Sequence, residues 1–150
     1  MDALEELLET EAIRKLRHQY SHYFDGKRLD DLVSIFTDDA VCEFGPDYGG
    51  DWVGKAQIRT NYSQYTEAAG PNFVSLHAVT SHMVTFVDAT TAHGRCYLLD
   101  LNTAEGAENP LLLFGVYDDL YKKVNGVWKI HRTRIDFLWP KRNVLPPRQL

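Results

Sequence analysis

Apolar positions recur three or four apart between Thr10 and Asp25: Ile13, Leu16, Tyr20, then Tyr23 or Phe24. That spacing puts them on one face of a helix. The stripe ends at Asp25-Gly26, where a left-handed glycine is expected to close the helix. Asp2 followed by Glu5 reads as a capping box, and Leu4, Leu7 and Leu8 carry the apolar face upstream. The pattern is compatible with one long helix or with a separate short one over residues 2–9. Leu29, Leu32, Val33 and Phe36 mark a second amphipathic piece that stops at Thr37-Asp38-Asp39. Val41 to Phe44 reads as a short strand and Gly45 to Asp51 as a loop. Lys55 to about Thr66 reads as a third helix, with Ile58 and Tyr62 or Tyr65 on one face.

Past Ala68-Ala69-Gly70-Pro71 the period changes. Phe73 to Val87 is rich in β-branched residues and alternates, which predicts a long strand. A turn at 88–91 leads to a strand from Ala92 to Leu101, then to a polar loop from Asn102 to Pro110. Leu111–Val124 and Val127–Trp139 form a hairpin about Asn125-Gly126, a dipeptide that favours a tight two-residue turn. Helices first and antiparallel strands after predict an α+β fold, with helices covering one face of a curved sheet. Its 150 residues suit one domain. The expected core runs from about 4 to 139, with a C-terminal tail over 140–150.

Charge and composition narrow the partners. The formal net charge is −5 and basic residues are scattered, so the footprint of a nucleic-acid binder is missing. There is no basic, apolar leader and no stretch near the roughly 20 apolar residues of a membrane span. The expectation is a soluble, cytoplasmic domain. The 2 cysteines, Cys42 and Cys96, lack ligand spacing and read as buried free thiols. With 8 Tyr, 7 Phe and 3 Trp, the aromatic residues suit a core or an aromatic-lined pocket.

Strand alternation shows which side chains travel together. Gly94, Cys96, Leu98 and Asp100 share a face, as do Ser75, His77, Val79, Ser81 and Met83. Were both rows to line one concave surface, His77 and Asp100 would meet there, and the first helix would add Tyr20 and Asp25. A histidine with carboxylate partners and a phenol in an apolar hollow suits proton transfer. Plainer roles compete: His77 as a structural residue, Asp25 as the cap of the second helix, Tyr20 as core, Asp100 as the start of the loop. His18 and His22, with Arg14 and Arg17, read as a solvated face; His82, His93 and His131 have no evident partner. No histidine pair has metal-ligand context, so no metal is expected. A nucleophile elbow or activated-cysteine signature is missing.

The order of parts resembles the nuclear-transport-factor-2-like superfamily, and within it the SnoaL-like group that includes scytalone dehydratase and bacterial bile-acid 7α-dehydratase. The residues that carry the resemblance are Tyr20 to Gly26, Leu29 to Val41, Trp52 to Ile58, Leu76-His77 and Tyr121 to Ile130. The resemblance implies a cone-shaped α+β barrel and a cofactor-free reaction in a pocket between helices and sheet. Asp25 matches the acidic position closing the first helix, His77 its paired histidine, Tyr20 a pocket tyrosine, and Asp100 the strand aspartate of the bile-acid enzyme. Scytalone dehydratase has a second histidine in that region instead. Phe44 replaces a further pocket tyrosine, for which Tyr117 is a candidate substitute. The implied function is a lyase of dehydratase type, with His77 as general base. Asp25 or Asp100 would orient and charge-balance it, and Tyr20 would polarise a carbonyl or assist the leaving group. An isomerase or polyketide cyclase, or a non-catalytic ligand-binding or dimerisation module, are the alternatives. Phe24, Phe44, Trp52 and Tyr117 are the expected walls for a hydrophobic polycyclic or aromatic substrate. A homodimer or higher homo-oligomer is implied as well.

Overall fold

A computed structural model describes residues 1–103, 106 and 108–149. Three helices, α1 (Ala3–Asp25), α2 (Leu29–Ser34) and α3 (Lys55–Ala69), pack on a six-stranded sheet. Its strands are β1 (Phe36–Glu43), β2 (Asp51–Val53), β3 (Ser75–Phe86), β4 (Thr91–Asn102), β5 (Leu111–Val124) and β6 (Val127–Trp139). They lie in the order β2-β1-β6-β5-β4-β3, and only β1 and β6 run parallel. The class is α+β, as the sequence predicts. No helix among the described residues is long and apolar enough to cross a membrane. Three residues of the predicted 102–110 loop (104, 105 and 107) and the last residue of the tail (150) lie outside the described residues.

Residues 2–25 make one helix with its cap, not two. Asp2 accepts from the Glu5 amide and Glu5 from the Asp2 amide, each at 2.9 Å, which satisfies two of the free donors of the first turn. Leu4, Leu7 and Leu8 are exposed, so the buried stripe begins only at Ile13. The end of α1 differs from the expected glycine cap. Gly26 has φ −80°, and Lys27, at φ +55°, makes the left-handed step. Glycine is needed at 26 for space, because a Cβ there would lie 2.8 Å from the His22 carbonyl oxygen. Thr37-Asp38-Asp39 does not stop the second helix. β1 runs through it, with Thr37 buried and the two aspartates turned to solvent. The hairpin forms where predicted, with Asn125 at φ +52° and Gly126 at φ +79°.

The face assignment of β4 holds, and that of β3 fails after Thr80. Ser81 adopts φ +54°, and three steps along β3 from Thr80 to Met83 match two along β4 from Tyr97 to Arg95. This β-bulge reverses the alternation. Met83 points outward, 74 % exposed, and His82 turns inward. Burial, reinforced by the cations Arg17, Arg14 and His18, pushes the His82 imidazole down to about 4, although Asp119 opposes the shift. An unfolded chain takes up that proton near the ordinary histidine value, so stability should fall as pH drops from about 6.5 to about 4. The loss is roughly 3 kcal/mol at most. Urea unfolding at pH 4 and 7 of the wild type and His82→Gln should show this slope reduced in the variant. Equal slopes would remove His82 as its source.

Arg17 also departs from expectation. It is fully buried in the core, not on the solvated face with Arg14, His18 and His22. Its guanidinium carbon lies 3.3 Å from the Tyr117 ring centroid and 4.3 Å from that of Tyr20, and Nε is 3.5 Å from Asp119 Oδ2. All three histidines without an evident partner have one: His82 Nε2 is 3.4 Å from the Tyr121 hydroxyl. His93 Nε2 is 3.0 Å from Asp118 Oδ1, and His131 Nδ1 is 3.0 Å from Thr37 Oγ1 and 3.3 Å from Asp39 Oδ1.

Candidate active site

The C-terminus of α1 meets the start of β3, and there Asp25 and His77 come together. α2 is capped by Arg28 through no side-chain bond, so Asp25 is not its cap. Its carboxylate accepts three hydrogen bonds from β3. They come from Ser75 Oγ at 2.8 Å, the His77 amide at 2.8 Å and His77 Nδ1 at 2.7 Å. Burial pushes the Asp25 carboxyl up, but the donors on His77 and Ser75 outweigh it and hold the group below the usual carboxylate range. An ionised Asp25 accepts the hydrogen bond of Nδ1–H, so neutral His77 has its lone pair on Nε2.

Nε2 faces Asp100 on β4, directly across the ladder from His77, with Oδ2 at 3.6 Å. That gap is too long for a hydrogen bond. Burial, together with the charge of Asp25, raises the Asp100 carboxyl despite the attraction of His77. The two aspartates thus differ in kind: Asp25 is an anion that fixes the ring, and Asp100 is an acid that holds its proton more readily. The Tyr20 ring stands 6.0 Å from the His77 ring, edge to face, and its hydroxyl is 2.8 Å from that of Tyr62. Burial pushes the Tyr20 phenol far up, against the pull of Arg17 and the Tyr62 bond, so it serves only as a neutral donor.

All four expected wall residues border this cavity. The Phe24 ring lies 4.6 Å from that of His77, Phe44 packs edge-on to Trp52 at 5.0 Å, and Tyr117 is fully buried. The Tyr117 hydroxyl approaches that of Tyr20 without meeting hydrogen-bond geometry. Sequence reasoning missed Tyr48, Tyr65 and Ile135 as lining residues, and placed Tyr62 on a helix face without giving it a role. The i, i+3 spacing of Tyr62 and Tyr65 was the available signal. Beside His77 the open space is only about 30 Å³, room for one water. Phe44, Tyr48, Tyr65 and Ile135 continue from it into an outer cleft of about 810 Å³. Among the described residues no three His, Cys, Asp or Glu side chains converge as metal ligands.

A model of the SnoaL-like domain matches residues 5–134. The chain belongs to that family. Solved structures of the same fold include a scytalone-dehydratase-like protein from Novosphingobium aromaticivorans. It is 21 % identical, with TM-score 0.80 over 95 % of this chain and 93 % of the other. A hexachlorocyclohexane dehydrochlorinase (LinA type 2) is 19 % identical, with TM-score 0.75 over 98 % and 97 %. A protein with a cystatin-like fold from Nostoc punctiforme is 18 % identical, with TM-score 0.73 over 93 % and 96 %. The α+β architecture of this SnoaL-like domain, helices against a curved and mostly antiparallel sheet, is the one these structures share.

Proposed function

We propose that this SnoaL-like domain is a cofactor-free lyase that removes water from a hydrophobic β-hydroxy carbonyl compound. The observation that carries the reading is the Asp25–His77–Asp100 row, which leaves Nε2 as an unbonded base inside an aromatic cavity. Nε2 takes the proton from the carbon next to the carbonyl. The double bond forms as the carbon–oxygen bond breaks, and Asp100, in the protonated form that burial and the Asp25 charge favour, supplies the proton with which the hydroxyl leaves as water. The Nε2 proton then returns to Asp100 and resets the pair. The Tyr20–Tyr62 pair uses one hydroxyl proton internally and keeps the other for the substrate carbonyl. The structural likeness to a scytalone-dehydratase-like protein and to a dehydrochlorinase, both named for eliminations, supports this reading.

The space beside His77 matches a single water, so this reading requires the cavity to widen around the reacting end of the substrate. The larger cleft beyond Phe44 and Tyr48 suits its polycyclic or aromatic remainder, being within the usual size of ligand sites. Hydroxy ketones screened with product mass as readout test the proposal. A loss of 18 mass units is the mass of the water removed; turnover at unchanged mass would point to an isomerase or cyclase using the same groups. No turnover across the panel would point to a binding module. Asp25→Asn should lower kcat by roughly 10²-fold or more with little change in KM, since an amide no longer fixes the tautomer. An unchanged kcat would remove Asp25 from the mechanism.

We also propose a homodimer formed through the outer face of the sheet. Leu99, Phe114 and Trp139 are exposed there, with the last two rings stacked at 6.0 Å. Sedimentation velocity of the wild type and Phe114→Glu would separate dimer from monomer.

A further inference from the structure

A second cleft, of about 840 Å³, opens at the β3 bulge, and none of Asp25, His77 and Asp100 lines it. Its wall combines Arg14 and His18, one turn apart on α1, with His82 just after the bulge and Arg95 on β4. Val79, Met83, Tyr97 and Val116 supply an apolar floor, and no carboxylate side chain lines it. Of the two guanidinium groups, Arg95 is held the more loosely. Arg14 gives Nε to the His82 carbonyl at 3.3 Å and Nη1 to Glu11 at 2.6 Å, and Arg95 reaches Asp118 and Asp136 only at 3.6 and 4.0 Å. His82 lies 3.4 Å from the Tyr121 hydroxyl through Nε2, and its Nδ1 is buried with no hydrogen-bond partner. Cations that converge over an apolar floor, with no carboxylate on the wall, mark a place that an anion would stabilise.

We infer that this cleft binds an amphipathic carboxylate, its head between Arg14 and Arg95 and its tail along Val79, Met83 and Tyr97. The site involves neither His77 nor Asp25, so it stands or falls apart from the proposed reaction. The bulge is what makes it: reversing the alternation exposes Met83 and brings His82 and Ser81 to the same opening.

Amide chemical-shift titration of the full chain with decanoate, decanol and acetate tests the inference. Decanoate should bind saturably, with shifts at Val79 to Met83 and Tyr97, at least tenfold more tightly than either decanol or acetate. Arg14→Gln and Arg95→Gln should each weaken decanoate roughly tenfold, the loss of one charge-assisted contact. Met83→Asp, at a position too exposed to perturb folding, should weaken it at least as much. Equal binding of decanol and decanoate would overturn the inference by removing the cations from recognition. Decanoate shifts confined to residues around His77 would overturn it as well. So would concentration-dependent shifts at Val79 to Met83 without ligand, because a second copy of the chain would then occupy the cleft.

Discussion

His77→Gln is expected to lower turnover of a β-hydroxy carbonyl substrate by roughly 10²–10⁴-fold, the range a positioned general base supplies. Glutamine keeps much of the volume and can still donate toward Asp25, so the cavity walls and the Asp25 anchor stay in place. What goes is the Nε2 lone pair that faces Asp100, 3.6 Å away. The loss should fall on kcat, because the base acts on the transition state while the apolar walls hold the substrate. Thermal melting should show a folded variant, and binding of product or an inert analogue should survive. Turnover within fivefold of wild type would overturn His77 as the base. The remaining activity would then have to come from Asp100 or the Tyr20–Tyr62 pair, which Asp100→Asn and Tyr20→Phe would tell apart.

Asp119→Ala is the substitution expected to cost most in stability. Asp119 and Arg17 are both fully buried; Asp119 accepts the Tyr121 hydroxyl at 2.7 Å and faces Arg17 Nε at 3.5 Å. Burial works against the Arg17 charge, and Asp119 is the largest of the groups that keep it. Removing the carboxylate leaves a cation in the core with only the Tyr117 and Tyr20 faces for company. Breaking a buried pair in this way costs about 3–5 kcal/mol. Against a total near 5–15 kcal/mol, urea unfolding would show it clearly. The double variant Arg17→Met, Asp119→Leu removes both charges and fills the space, so it should recover most of the loss. A single-variant cost below about 1 kcal/mol would mean that water reaches the guanidinium. Because Arg17 stacks on Tyr20, the single variant should also loosen the proposed carbonyl donor.

The elements were legible because each is set by local pattern. The capping box at Asp2, the period of Ile13, Leu16 and Tyr20, the Asn125-Gly126 turn and the alternation along β4 all act within a few residues. That alternation placed Asp100 inward, and the same rule on the first half of β3 placed Ser75 and His77 opposite it. Local pattern misled where a competing interaction acted from a distance or changed the register. Arg17 reads as a surface residue because nothing nearby in sequence shows Asp119 waiting in the core. Met83 reads as inward because a bulge of one residue leaves no mark on composition. Gly26 reads as a left-handed cap, whereas crowding by the His22 carbonyl demands glycine there at an ordinary φ.

By itself, then, the sequence determined the α+β class, the order of helices and strands and the candidate set Tyr20, Asp25, His77 and Asp100. Hydrophobic period and turn chemistry are properties of short segments. Only the tertiary structure decided that both aspartates flank one imidazole, Asp25 on Nδ1 and Asp100 opposite Nε2. It also decided that Tyr62 completes the phenol pair and that the space at the base holds a single water's volume. These depend on the angle at which α1 crosses the sheet and on the pairing of β3 with β4. Both are fixed by the packing of side chains far apart in the chain.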